Sequence, residues 1–212
     1  FYSRWAPGYD RLATHAPGVR RLRAALVDSL DPAPGESVLD IGCGTGATLP
    51  YLRERVGSEG RVVGVDFAPG AVSRARGRIE RAGWENVIVC RGDATRLPVR
   101  DADAVAASFL MGMLPDPAAT VADWLVDLDP ERVALLDLAR SYRLPGRPFN
   151  PLFRLVVRAS APPGTKAHHG ESPAGVLDRR VASAHRAVLE RCTETTHETR
   201  VGGFAYLTAG RR

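Results

Sequence analysis

Hydrophobic positions along this chain change period repeatedly. Val19, Leu22, Leu26 and Leu30 recur three or four residues apart and predict an amphipathic helix that stops at Asp31-Pro32-Ala33-Pro34-Gly35. Short apolar runs at 36–41, 61–66, 86–91, 102–109 and 132–138 predict buried strands. Helical periods fill 47–56, 69–82 and 117–128, with Val72, Ala75, Ile79 and Ala82 on the inward face of the second. Strands alternating with helices in units of about thirty residues predict an α/β fold, a Rossmann-like doubly wound sheet that is mostly parallel.

The alternation stops at Ser141. SYRLPGRPFN is rich in proline and glycine, and PLFRLVVRAS after it predicts a helix with Asn150 as N-cap and Pro151 in the first turn. Leu152, Phe153, Leu155, Val156 and Val157 leave only Arg154 and Arg158 as a polar stripe, and Ala161-Pro162-Pro163-Gly164 ends the helix. Three placements suit so apolar a helix: burial against the sheet or a partner subunit, a cover over a lipophilic substrate, or shallow contact with a membrane. A helix over 175–192 and strands at 193–201 and 204–209, joined at Gly202-Gly203, predict a C-terminal antiparallel hairpin. Residues 1–212 therefore read as a single domain, with an N-terminal helical lid at about 1–30 and a substrate-side helical insertion at about 141–175.

Composition sets bounds. A chain of 212 residues, 44% hydrophobic and 25% charged, suffices for one compact core. No apolar run is long enough to span a bilayer, and FYSRWAPGYD lacks the basic start and apolar middle of a signal peptide, so a cytoplasmic protein is expected. Phe1 in place of methionine suggests that a few native residues precede the chain. Cys43, Cys90 and Cys192 are odd in number and lack metal-ligand spacing, so neither a disulfide framework nor a metal site is expected. The net charge of +5 comes from arginines scattered among acids, with Lys166 the only lysine. Without a basic stripe carrying interleaved aromatics, no nucleic-acid partner is expected; a peripheral membrane contact and a homodimer stay open.

The candidate chemistry lies in VLDIGCGTGA, residues 38–47. A strand that enters a glycine-rich turn at the start of a helix brings backbone close to a ligand and aims N–H groups at it. Gly42, Gly44 and Ala47 satisfy a relaxed G-x-G-x-x-A dinucleotide fingerprint, with Asp66 about twenty residues on, where a ribose partner belongs. An NAD(P)-dependent oxidoreductase is one reading. Asp40 favours another, because a carboxylate two residues before the first glycine repels a pyrophosphate and suits a cationic amino group or sulfonium. S-adenosylmethionine carries both.

VLDIGCGTG, then VVGVDF ending in Asp66 and Phe67, then CRGDATRLPV with Asp93, resemble the successive motifs of the class I S-adenosylmethionine-dependent methyltransferases. FYSRWAPGYDRLA, with its Tyr9-Asp10 pair, and GGFAYLTAGRR are similar to the two ends of the ubiquinone and menaquinone biosynthesis subfamily. The resemblance implies that the loop through Gly42, Cys43, Gly44, Thr45 and Gly46 cradles the methionine part, with Asp40 beside its positive charge. It implies that Asp66 accepts from the ribose hydroxyls, that Asp93, flanked by Gly92 and Ala94, meets the adenine amino group, and that Phe67 packs on adenine. Tyr9 falls in the segment expected to close over the cofactor. AASFLMGMLPD resembles the family's fourth strand, which would set Ser108 and Phe109 beside the cofactor. Two departures stand out: Asp129-Pro130-Glu131 replaces a Pro-Gly-Gly turn, and Gly112 and Met113 replace a frequent histidine pair.

The resemblance further implies an in-line attack by a small-molecule nucleophile on the sulfonium methyl, leaving S-adenosylhomocysteine. Holding the reactants in line supplies roughly 7 to 11 kcal/mol. If the acceptor needs a base, His168, His169 and Tyr142 of the insertion are the candidates, with solvated loop histidines the plainer reading of the first two. The missing polar residues at Gly112 and Met113 keep a non-catalytic S-adenosylmethionine-binding protein in view.

Overall fold

A computed structural model describes residues 17–160 and 172–212. The expected lid residues Tyr2, Trp5, Tyr9 and Asp10, and the candidate bases His168 and His169, lie outside the described residues. The elements are α1 (Pro17–Leu30), β1 (Ser37–Ile41), α2 (Leu49–Val56), β2 (Arg61–Asp66), α3 (Pro69–Ala82), β3 (Val87–Arg91), β4 (Ala104–Ser108), α4 (Pro117–Asp127), β5 (Arg132–Leu138), α5 (Asn150–Ser160), α6 (Pro173–Arg191), β6 (Glu194–Arg200) and β7 (Ala205–Arg211). The strands form one seven-stranded sheet in the order β3-β2-β1-β4-β5-β7-β6. Pairing is parallel from β3 through β5 and antiparallel where β7 joins β5 and β6 joins β7, the expected α/β architecture.

Side chains on a strand alternate between faces, and the interior divides accordingly. Val38, Ala104, Ala106 and Leu136 meet α1, α2 and α3 on one face, while Leu39, Ile41, Val105 and Leu135 meet α4 and α6 on the other. Fully burying a leucine such as Leu26, Leu30 or Leu52 contributes about 1.5 to 3 kcal/mol. Two local expectations shift. α2 starts two residues late because Gly46 is still in left-handed backbone at φ 77°. Ala82, in the last turn before the left-handed Gly83, is exposed, and Ala71 supplies the buried position at the other end of α3. Asp129, first of the Asp129-Pro130-Glu131 run that replaces Pro-Gly-Gly, holds the left-handed turn before β5 at φ 45° and accepts from Arg212 at 2.5 Å.

The C-terminal hairpin is a structural part of the sheet rather than an appendage. β7 inserts between β5 and β6 and pairs with β5 from Leu138↔Ala205 to Arg132↔Arg211. The outer strand β6 carries Glu194, Glu198 and Arg200, charges suited to a sheet edge. Asn150 does not act as the expected N-cap. Its Oδ1 accepts from Ser141 N at 3.0 Å and its Nδ2 donates to Ser141 O at 2.9 Å, which closes the loop into α5. Ser141 Oγ in turn donates to Gly202 O at 2.7 Å and pins the hairpin turn against that loop.

Gly64 gives the glycine loop its seat. A Cβ there would lie 2.9 Å from Cys43 Sγ and 3.0 Å from Val89 Cγ2, so the buried Cys43 of the loop rests directly on β2. Gly64→Ala is expected to cost about 1 to 3 kcal/mol in urea unfolding by overpacking this contact. Wild-type stability in the variant would show that the loop moves off β2 freely.

Candidate functional site

β1 ends where its neighbours β2 and β4 lead their connections to opposite sides, and a cleft of about 430 Å³ opens at that edge. Such a switch point is where open α/β sheets bind ligands. Gly42, Gly44 and Gly46 all hold positive φ, at 71°, 56° and 77°. Gly42 and Cys43 both donate to Val65 O, at 2.8 and 3.1 Å, which ties the turn to β2. Gly42 also leaves room for Leu110, whose Cδ1 would stand 2.9 Å from an added Cβ. A Cβ on Gly44, by contrast, meets nothing within 4 Å, because it would project into open space in a residue that lines the cleft.

Three acids surround this loop, each in a different state. Asp66 is braced at the end of β2: Oδ2 accepts from Gly44 N and Oδ1 from Ala68 N, both at 2.8 Å. The unused lone pairs of this two-oxygen acceptor remain for donors in the cleft. Asp93 is exposed, and hydrogen bonds from Thr95 N and Oγ1 to Oδ1 hold its carboxyl below the usual range while leaving Oδ2 unengaged among the described residues. Asp40 is fully buried on the α1 face of β1, and neither carboxylate oxygen has a hydrogen-bond partner among the described residues. Burial raises its pKa from 3.8 to about 7; the charge of Arg23 opposes the rise and that of Asp66 adds to it.

The opposite wall is apolar. Leu110, Met113, Leu114 and Pro115 line it, around the short helical turn Met111–Met113. At Gly112 an added Cβ would sit 2.3 Å from Leu177 Cδ1 of α6, so a larger residue there requires that leucine to turn aside. Behind the turn runs a buried polar chain. Met111 N donates to Asp137 Oδ1 at 3.1 Å, His185 Nε2 lies 3.3 Å from Asp137 Oδ2, and Thr208 Oγ1 lies 2.6 Å from His185 Nδ1 and 2.7 Å from His197 Nδ1. Burial pushes the Asp137 carboxyl up, against the bond from His185, and pushes His197 down.

Of the residues expected at the site, Gly42, Cys43, Gly44, Thr45, Asp66, Phe67, Gly92, Asp93, Ala94, Ser108 and Phe109 line this one cleft. Gly46 and Asp40 do not. Gly46 packs behind the loop, where a Cβ would approach Leu49 Cδ1 to 2.7 Å, and Asp40 lies beneath the cleft floor. Tyr142 is displaced more fundamentally: it lines a separate pocket of about 230 Å³ with His185, His197 and Tyr206. Arg23 and Arg74 line the cleft without having been anticipated. Arg23 comes from α1, its guanidinium 5.3 Å from the Phe109 ring centroid, and no local motif marks it because only the crossing of α1 over β1 and β4 brings it there.

The profile of a family described as "Methyltransferase domain" matches residues 38–131, the stretch that builds this loop and all three acids. Comparisons with known proteins support a class I S-adenosylmethionine-dependent methyltransferase. S-adenosylmethionine is the cofactor of this family, which removes the nicotinamide alternative. The chain is 40% identical over 125 residues to the aklanonic acid methyltransferase DauC of Streptomyces sp. (strain C5), covering 57% of this chain and 55% of that one. It is 36% identical over 170 residues to the nocamycin O-methyltransferase of Saccharothrix syringae, covering 76% and 61%. The chain thus spans little more than half the length of these relatives. A methyltransferase from Aquifex aeolicus shares the fold at a TM-score of 0.60 and 20% identity, over 95% of this chain and 92% of that one.

The residues fit the cofactor on structural grounds: Asp40, on the strand that enters the loop, has no hydrogen-bond partner among the described residues, and a Cβ at Gly44 of the cleft lining would meet nothing within 4 Å. Because the folded protein holds a proton on Asp40 that the unfolded chain loses near pH 3.8, this group's contribution to stability is complete below that pH. It falls as pH rises towards 7, by up to about 1.4 kcal/mol per pH unit. Asp40→Asn is expected to remove that slope from urea unfolding measured across the interval. An unchanged slope would assign the effect to another group.

Proposed function

We propose that this chain transfers the methyl group of S-adenosylmethionine to a small, lipophilic acceptor such as a quinone precursor, by in-line displacement in a cytoplasmic setting. The observation that carries this reading is the pairing, in one cleft, of the acid-flanked glycine loop with the apolar wall at Leu110, Met113, Leu114 and Pro115. The names of the relatives, an aklanonic acid methyltransferase and a nocamycin O-methyltransferase, support an acceptor of small-molecule class.

When bound, S-adenosylmethionine supplies an activated methyl group on a sulfonium. The chain's own residues hold and orient the reactants. Gly42, Cys43, Gly44 and Thr45 offer close backbone approach for the amino-acid end, and the buried Asp40 supplies negative potential beneath it. Asp66, fixed by Gly44 N and Ala68 N, is set to accept from ribose hydroxyls, and Asp93 Oδ2 to accept from an adenine amino group. Phe67, 66% exposed with Arg91 5.5 Å from its ring centroid, offers a flat face at the rim. Ser108 and Phe109 face the junction between loop and apolar wall. The wall excludes water from the attack line. No histidine or tyrosine lines the cleft among the described residues, which favours an acceptor whose proton is already acidic, such as a phenol or enol.

Asp66→Ala is expected to weaken S-adenosylhomocysteine binding at least about tenfold in calorimetry, through loss of charged hydrogen bonds. Incubation of the wild type with methyl-labelled S-adenosylmethionine and host extract should place label in the organic phase. Label confined to water would redirect the acceptor to polar metabolites. Binding with no transfer to any acceptor would make the chain a sensor or partner protein.

A further inference from the structure

We propose that the outer face of α5 is a docking surface for an anionic phospholipid membrane. Phe149, Leu152, Leu155 and Val156 point outward on successive turns, with Leu152 59% and Leu155 63% exposed. At 100° per residue these four positions share one arc, and Phe153 and Val157 at its margin are only half-buried, Phe153 resting 5.3 Å from the Phe204 ring centroid. Of the three placements open to this helix, burial against the sheet does not occur for the outer arc, and no residue of 141–160 lines the cleft. A helix this apolar on its solvent side needs another medium to cover it.

Charge selects the medium. Between Asp137 and Glu171 the sequence contains no acid, yet it carries Arg140, Arg143, Arg147, Arg154, Arg158 and Lys166. Arg140 is neutralised by Asp178, but the exposed Arg147, Arg154 and Arg158 have no acidic partner among the described residues. An amphipathic helix whose polar stripe is purely basic suits an anionic headgroup layer, with the arginine stems lying along the apolar boundary and the guanidiniums reaching phosphate. A second copy of the chain fits poorly, since a symmetric contact through the apolar arc would leave the basic stripe of each copy, on the other side of the helix, without an acidic partner. No helix among the described residues is long and apolar enough to cross a membrane, so the contact is peripheral. It is independent of the proposed methyl transfer and is measured without cofactor.

The test is flotation of the full chain with vesicles of phosphatidylglycerol mixed into phosphatidylcholine, against phosphatidylcholine alone. The chain is expected to float with the anionic vesicles at least about tenfold more than with the neutral ones, and to be released at about 0.5 M salt, where screening shortens to about 4 Å. Leu152→Asp with Leu155→Asp should abolish flotation with an unchanged thermal midpoint, since both side chains are exposed. Arg154→Glu with Arg158→Glu should abolish the preference for the anionic vesicles. No flotation, equal flotation with both compositions, or a wild-type dimer in light scattering that the aspartate variant dissociates would each overturn the proposal.

Discussion

Asp40 keeps both carboxylate oxygens in the interior without a hydrogen-bond partner among the described residues, and the architecture around the cleft is arranged to sustain that cost. The strand bearing it is locked on both sides, paired with β2 through Asp40↔Gly64 and with β4 through Asp40↔Ala106. The small partners are consistent with close packing at this level: Gly64 admits Cys43, and Cys43 fixes the glycine turn. Arg23, reaching over from α1, offsets the buried charge. A carboxyl held near neutrality beneath a glycine loop is poised to ionise when positive charge arrives above it, and the affinity for a cationic ligand then draws on energy already spent in folding.

The same sheet edge carries a second buried polar system on its other face. Asp137 joins the Met111 turn to His185, and Thr208 couples His185 to His197. Asp40 and Asp137 lie at corresponding ends of β1 and β5, yet they are satisfied in opposite ways. Asp137 is spanned by a backbone donor and an imidazole and stiffens the apolar wall, whereas Asp40 is left unpaired. The division matches a cleft with one polar side and one greasy side.

Much of this was legible in the sequence, because it rests on local signals. The strand at Arg61–Asp66, the helix at Pro69–Ala82 and the strand at Arg132–Leu138 follow from period alone, with bounds that the structure reproduces. The glycine loop, Asp66 and Asp93 follow from motif order. What sequence did not reveal depends on crossings between distant elements. Arg23 reaches the cleft through the packing of α1, Tyr142 is carried away from it by the loop that Asn150 closes, and Gly112 faces Leu177, sixty-five residues later in the chain. Asn150 also misled, since an Asn-Pro pair at a helix start signals a cap, while its amide was already committed to the backbone of Ser141.

That commitment has a wider consequence. The reciprocal bonds between Asn150 and Ser141, together with the Ser141 bond to Gly202, anchor both the exit from β5 and the entry to α5 to the hairpin turn rather than to the cleft. The segment between these anchors contributes no residue to the lining of the cleft. Substitutions on its surface therefore change what the molecule touches there and leave the residues that line the cleft in place.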